Sequence, residues 1–299
     1  MPFKLLFIGD AENMPPRVIT ITNQKGGTGK TTLTALLGYG LASRGYNVLL
    51  IDLDPQAHLS SLFLKIDEIE NVDDGAIQMA QGLRFKMRNI NLGTRGEIRL
   101  IPSGLNYIVQ VFRGQIPSWD PMAIYTRIST EPAIKGFDFV LCDTPPELFP
   151  PTIWGLYAAD FVIIPSNLEE LSIAGVKLLL SAVLPEVIYR SKKELRILGV
   201  VFTNIVRRVG QGTIDGIGNG LLRFIRRLPP VVAERFYEKP IFNAHMYRYD
   251  ELRDLVYRPR RWELPLRRVI ERNNELSDSV AQLTLEVINR IQNFKGLGP

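Results

Sequence analysis

Eight consecutive residues, Lys25-Gly26-Gly27-Thr28-Gly29-Lys30-Thr31-Thr32, have the types needed to hold a polyphosphate. They fall one residue short of the phosphate-loop pattern G-x-x-x-x-G-K-[ST]: Gln24 stands where its first glycine belongs, and a second lysine, Lys25, follows it. Gly26, Gly27 and Gly29 allow backbone conformations closed to other residues and let a ligand approach the main chain closely. Successive N–H groups then converge on an anion, Lys30 reaches the β- and γ-phosphates, and the Thr31 hydroxyl is a ligand for Mg²⁺. Three carboxylates stand where they could complete such a site. Asp52 and Asp54 close "LLIDLDPQ", and Asp143 closes the strand in "FVLCDTPP". A carboxylate at a strand end beside a phosphate loop holds Mg²⁺ directly or through water. Asp54 is the candidate to position the attacking water or accept its proton, since phosphoryl transfer needs the nucleophile in line more than it needs covalent chemistry.

These residues must be held by strands and helices, and both are legible. "RVITIT" (Arg17 to Thr22) is a β-branched run of strand type, and Leu33, Leu36, Leu37 and Leu41 of "TTLTALLGYGLASRG" mark one face of a helix that Gly45 ends. Further strands are "NVLLID" (Asn47 to Asp52), "IRLIPSG" (Ile98 to Gly104), "FDFVLCDTPP", "ADFVIIPS" and "RILGVVFTN" (Arg196 to Asn204). The third of these is stopped by Pro145 and Pro146, and "EELSIAGVKLLLSAVLPEVIYRS" has helical spacing. Strands alternating with helices predict an α/β fold: a mostly parallel, twisted sheet covered by helices on both faces, with ligand at the carboxyl ends of the strands. The stretch from Lys65 to Glu97 is polar and poorly patterned. After Asn204, "GQGTIDGIGNG" (Gly210 to Gly220) reads as a flexible loop, "RYDELRDL" as a short helix and "DSVAQLTLEVINRIQNF" as a closing amphipathic helix. No repeat or linker divides the chain. Residues 1–16 are expected to form an arm or edge strand, and 17–299 one domain with a basic C-terminal elaboration at about 187–272.

Composition narrows the chemistry. Hydrophobic residues at 45% and charged residues at 22% provide ample material for the core of a globular protein of 299 residues. No uncharged apolar run approaches the roughly 20 residues that span a bilayer. "MPFKLLFIGDAENMPP" makes a poor signal peptide, so the cytoplasm is the expected address. Cys142 is the single cysteine, which excludes an intrachain disulfide, a CxxC pair and an all-cysteine cluster; its apolar neighbours make it a buried small hydrophobe. His58 and His245 lie in no ligand-like cluster, and no zinc site is expected. The net charge of +5 is unevenly spread, with 19 Lys+Arg against 9 Asp+Glu in residues 187–272 and 17 against 22 elsewhere. The arginines of that region, among them Arg207, Arg208, Arg223, Arg226, Arg227, Arg253, Arg258, Arg260, Arg261, Arg267 and Arg268, predict a polyanion-binding face.

"KGGTGKTT", "LLIDLDPQ", "FDFVLCDTPP", "DFVIIPSN" and "GVVFTN" occur in an order and spacing that resembles the ParA/MinD/Soj group of deviant Walker A ATPases, and within it the ParA partitioning ATPases most. The likeness runs from about Val18 to Asn204 and is loose from Ile205 to Phe294. It implies that Lys25 is the signature lysine that crosses a dimer interface to the partner's phosphates. A cation supplied in trans stabilises charge as an arginine finger does, and nucleotide state then sets oligomeric state. The resemblance makes Gly26, Gly27, Thr28, Gly29, Lys30, Thr31 and Thr32 the phosphate and Mg²⁺ cradle. Asp54 becomes the water-positioning carboxylate, Asp52 and Asp143 the metal-side carboxylates, and Asn204 the residue that reads adenine. The implied function is a Mg²⁺-dependent ATPase for plasmid or chromosome partitioning. It would dimerise on ATP, bind DNA non-specifically on the nucleoid and respond to a ParB-like centromere-binding protein.

Larger family members carry an N-terminal helix-turn-helix domain. Only about sixteen residues precede the first strand here, so operator binding by that route is not expected. A MinD-like ATPase acting at a membrane surface is the alternative. It requires a C-terminal amphipathic helix with a cationic face, whereas "LTLEVINRIQNFKGLGP" pairs an apolar face (Leu283, Val287, Ile288, Ile291, Phe294) with only Arg290 and Lys295, and no membrane is expected as a partner. An ATP-dependent synthetase of the same superfamily is a third class; Lys25 and the arginines speak against it. The cysteine count excludes an electron donor of the nitrogenase-reductase type.

Overall fold

The protein is described by a computed structural model at residues 15–106, 120–191, 193–257 and 266–295. The described residues form seven strands, all but β3 built on the apolar runs: β1 (Arg17–Ile21), β2 (Val48–Asp52), β3 (Arg88–Asn89), β4 (Ile98–Ile101), β5 (Phe139–Asp143), β6 (Phe161–Ser166) and β7 (Arg196–Phe202). They form one sheet in the order β3-β4-β2-β5-β1-β6-β7. Every pairing is parallel except that of β3 on β4. The register sets Asp52 opposite Asp143, and Asp143 opposite Ile21, so the strand-end carboxylates meet at the middle of the sheet.

The longer helices among the described residues are α1 (Lys30–Ser43), α2 (Ala123–Thr130), α3 (Pro150–Ala158), α4 (Glu170–Leu178), α5 (Leu184–Arg190), α6 (Gln211–Ile225), α7 (Asp250–Tyr257), α8 (Leu266–Arg272) and α9 (Asn274–Gln292). Alternate residues of the strands feed opposite layers, as the two-residue period requires. Ile19, Leu50 and Leu141 pack with Leu36 and Leu41 of α1 and with Leu283 and Val287 of α9. Val18, Leu49 and Val140 pack on the other face with Ile124 of α2 and Trp154 of α3. Val162, Ile164 and Val200 form a third cluster with Val176, Val187 and Leu221. Cys142 is buried in the second cluster, and burial pushes its thiol up to about 12, which makes it inert near neutral pH.

Two sequence expectations change. The glycine-rich stretch Gly210–Gly220 is not a loop: it caps and builds most of α6, because Ile214, Gly218, Leu221 and Ile225 recur on one buried helical face. The poorly patterned stretch from Lys65 to Glu97 contains the short helices Ile66–Glu70 and Ala76–Ala80 and the edge strand β3. The expected arm at 1–16 lies almost wholly outside the described residues.

The closing helix is a core element. Leu283, Val287, Ile288 and Ile291 are buried, and so is Arg290, at 2% exposure. The Arg290 guanidinium donates to the carbonyls of Leu198 (2.6 Å), Lys239 (2.5 Å) and Ile241 (2.8 Å), pairs with Glu286 (2.6 Å) and lies 3.8 Å over the Phe242 ring. Glu286 in turn accepts the N–H groups of Asn243 and Ala244. The segment so gripped runs parallel to β7 and its extension, bridging Ile197 to Phe236, Val200 to Ile241 and Ile205 to Tyr247, and Met246 also donates its N–H to the Phe202 carbonyl. The apolar face of α9 and its arginine are thus both used inside the fold.

Candidate active site

The turn from β1 into α1 has the geometry that its glycines permit. Gly27 and Gly29 both adopt φ of 75°, in the left-handed region, and Gly29 is the residue that opens α1. The turn is tied to two neighbouring strands. Asn23 donates its side-chain amide to the Pro165 carbonyl (2.7 Å), and Thr203 donates its hydroxyl to the Thr28 carbonyl (2.6 Å). Gly175 of α4 also matters here: a Cβ at that position would lie 2.6 Å from Asn23 Oδ1, so only glycine lets α4 approach the turn.

Inside the turn the two lysines are used differently. Lys30 is buried and donates Nζ to the Lys25 carbonyl (3.1 Å), which also accepts the Thr28 hydroxyl (3.2 Å). Lys25 thus serves the turn through its backbone. Burial pulls the Lys30 ammonium below its ordinary value, against the carboxylates of Asp143, Asp54 and Glu147.

The carboxylates divide as well. Asp143 Oδ2 accepts the Thr31 hydroxyl at 2.7 Å, so two oxygen donors from separate elements stand side by side. Such a pair suits a hard divalent cation. Burial, and then the charge of Asp52, raise Asp143 well above the usual carboxylate range. Asp52 is in the same row but turned to other partners: it accepts the Asp54 N–H (3.0 Å), the Ser60 N–H (2.8 Å) and the Ser60 hydroxyl (2.7 Å). Its geometry is that of an anchor for the Asp54 loop rather than of an open ligand. Burial and the nearby Asp54 push Asp52 up to about 7 in spite of those three donors. Asp54 has one oxygen fixed by the Gln56 N–H (2.9 Å) and the other 3.8 Å from His58 Nδ1. That carboxylate raises the His58 imidazole against the lowering effect of burial.

A cleft of about 660 Å³ opens over these groups. Lys25 to Leu33, Asp54 and His58 line its floor, Asn167, Thr203 and Asn204 one side, and Met246 to Tyr249 another. Asn204 is exposed at this rim, with φ of 54°, a left-handed conformation that asparagine tolerates. The volume is that of a small-molecule site. The structure therefore brings together every residue that the sequence singled out for the phosphate loop. It adds Ser60, His58, Thr203 and the wall at 246–249. Thr203 lies inside a quoted motif and was within reach of sequence reasoning; Ser60, four residues beyond one, and the wall, well beyond the last motif, were not.

Comparison with known proteins places this geometry. The AAA domain family matches residues 16–197. The sporulation initiation inhibitor protein Soj of Bacillus subtilis is 32% identical over 200 residues, 66% of this chain and 76% of its own. The chromosome-partitioning ATPase Soj of Thermus thermophilus is 33% identical over 189 residues, 62% of this chain and 69% of its own. The chain belongs to the ParA/Soj family of P-loop ATPases. Among solved structures, pNOB8 ParA bound to nonspecific DNA superposes with a TM-score of 0.79 at 24% identity, covering 93% of this chain and 99% of that one. Cobyrinic acid a,c-diamide synthase from Mycobacterium smegmatis with bound ADP and magnesium superposes at 0.70 and 23% identity, covering 95% and 100%. Both show the same fold.

Within this ParA/Soj fold the expected basic face sorts into two groups. Arg207 pairs with Glu275 and lies over the rings of Tyr247 and Tyr249, while Arg267 pairs with Glu271. Arg208, Arg223, Arg226 and Arg227 are exposed and make no ion pair among the described residues. Of the last three, Arg223 lies in the last turn of α6, Arg226 caps it and Arg227 follows. Arg258, Arg260 and Arg261 fall outside the described residues.

Proposed function

We propose that this protein is a Mg²⁺-dependent DNA-partitioning ATPase that dimerises on ATP, binds duplex DNA without sequence preference and hydrolyses ATP when a centromere-bound protein stimulates it. The observation that carries the reading is the split between the two lysines: Lys30 turns its buried amine into the loop, whereas Lys25 contributes only a carbonyl there. Its side chain remains available to a second subunit. Residues 17–299 act as one ATPase domain, a reading supported by the single sheet that collects all the motifs.

In this mechanism the N–H groups around Gly27 and Gly29, with Lys30, hold the phosphates, and Asn204 at the rim reads the adenine. Thr31 and Asp143 would hold Mg²⁺, which would supply positive charge to neutralise the phosphate oxygens. Asp54, held by Gln56 and His58, orients water in line with the γ-phosphorus. A new P–O bond forms to that water, the bond to the ADP oxygen breaks, and the proton passes to Asp54 or solvent. Asp52 keeps the Asp54 loop in place. Lys25 from the second subunit stabilises the charge that develops. Arg208, Arg223, Arg226 and Arg227 make phosphate contacts, which require no base readout. The pNOB8 ParA neighbour, solved on nonspecific DNA, supports that choice of polymer.

The test is the ATPase rate and sedimentation of the protein alone, with non-specific duplex DNA, and with anionic liposomes. ATP-dependent binding to DNA of any sequence, with no liposome binding, is the expected result. Liposome binding without DNA binding would replace this reading by the membrane-surface one. Binding of neither, with ATP consumed only when a small carboxylic acid is added, would replace it by a synthetase.

A further inference from the structure

The α4 and α5 helices run on through a π-turn at Leu179–Val183 as one rod, Glu170–Arg190, of 21 residues and about 30 Å. One side is core, through Val176, Leu180, Leu184 and Val187. The other side is exposed and still apolar: Leu171 is 68% exposed, Leu178 53% and Tyr189 85%, with exposed Ala174, Ser181 and Ala182 between them. A soluble protein rarely leaves large apolar residues in one line along a helix. The exposed charges along it are Glu169 and Glu170 at its start, Lys177, which lies over the Phe224 ring, and the Glu186–Arg190 ion pair at its end.

We propose that this face is a docking surface for a second copy of the same chain, paired antiparallel across a two-fold axis near Leu180. The sequence is self-complementary in that arrangement. Leu178 of one copy meets the small Ala182 of the other, Leu171 meets Tyr189, and Glu170 meets Arg190. Lys177 comes within a turn of Glu186. A two-fold axis repeats each contact, which is the commonest way for a surface to recognise itself. Charge complementarity favours a second copy over a membrane, because Glu170, Lys177, Glu186 and Arg190 interleave with the apolar positions. A single helix pair is a small interface, so association is weak. The contact does not involve nucleotide.

The experiment is sedimentation velocity of the full chain without nucleotide, over about 1–200 μM. Expected is reversible self-association that Leu178→Glu weakens by at least roughly tenfold, since a charge is placed at the centre of the pairing. Glu170→Arg should weaken it by about fivefold through two repeated contacts, and the double variant Glu170→Arg/Arg190→Glu should restore it. The exposed positions leave folding intact, checked by circular dichroism. A Ser181→Cys variant, close to the axis, should form a disulfide-linked dimer on oxidation. Sedimentation as a monomer at every concentration would overturn the proposal. So would association that the charge swap fails to restore, or dimerisation that appears only with ATP, disappears in Lys25→Ala and ignores Leu178→Glu. That last pattern would leave the nucleotide-dependent dimer standing. Flotation of the monomer with anionic phosphatidylglycerol vesicles, lost in Leu178→Glu, would assign the face to lipid instead.

Discussion

Lys25 is the residue whose role separates the proposed function from that of an ordinary phosphate loop. Because the turn uses its carbonyl, Lys25→Ala should leave the loop and ATP binding intact. ATP-dependent dimerisation and stimulated hydrolysis should fall by at least about tenfold, a modest figure beside the roughly 10³–10⁵ that trans-acting arginines contribute elsewhere. Fluorescent-nucleotide titration and sedimentation with ATP read the two effects apart; normal dimerisation would make Lys25 a solvated loop residue. Asp52 makes a prediction of a different kind. Its carboxyl titrates at about 7 when folded and at about 3.9 when unfolded, so the folded chain holds the proton more tightly. Its contribution to stability is complete below the unfolded value and is lost as pH rises through about 7. Asp143 acts in the same direction. The unfolding free energy of the protein free of nucleotide and metal should therefore fall between about pH 4 and pH 7, with a slope of about 1.4 kcal/mol per pH unit for each proton released. Asp52→Asn should flatten that slope, and an unchanged slope would place the titration elsewhere. The loop and the strand-end carboxylates were legible because type and spacing alone restrict what they can do. The turning of Asp52 toward Ser60 was not, since a hydroxyl eight residues away carries no signal of its own.

At the scale of elements, α6 shows where local signals and tertiary packing disagree. Five glycines between Gly210 and Gly220 read as a loop, since glycine gains most from being unfolded. The helix forms because Ile214, Leu221 and Ile225 bury against the sheet and Gly218 lies 3.6 Å beneath the Phe202 ring by its would-be Cβ. At Gly212 and Gly216 nothing lies within 4 Å of an added Cβ, and neither has positive φ. Gly212→Ala/Gly216→Ala should thus stabilise the protein by about 1–2 kcal/mol in total, read as a raised urea midpoint with unchanged m-value. A lowered midpoint would mean that the glycines are needed for a second conformation of this helix. The parallel strands were legible for the opposite reason: runs such as "VLLID" are buried on both faces and need no pattern beyond continuity. Two-residue β3 has no such run, and its pairing with β4 comes from the turn that returns the chain at the edge of the sheet.

The charge asymmetry belongs to the molecule as a whole, and composition revealed its existence but not its address. Arginines at 207 and 267 neutralise nearby glutamates, and Arg290, outside the basic region, is sealed in the core. Among the exposed arginines of the described residues, Arg223 in the last turn of α6, Arg226 at its cap, Arg227 after it and Arg208 before it form one group. A DNA backbone bound there releases counterions, so log Kobs should fall linearly with log salt at about −0.9 per phosphate neutralised. Binding should need ATP, since two copies of the face double the number of arginines that one duplex can meet. Arg226→Glu/Arg227→Glu should weaken binding about equally on unrelated sequences and make the slope shallower by roughly one unit for each phosphate left without its arginine. ATP binding should survive, because neither residue lines the cleft. Fluorescence anisotropy on two unrelated duplexes at several salt concentrations measures all three quantities. A loss confined to one sequence would point to base readout. An unchanged slope would move the DNA face off α6, leaving the ATPase site untouched and the basic region with another polyanion to bind.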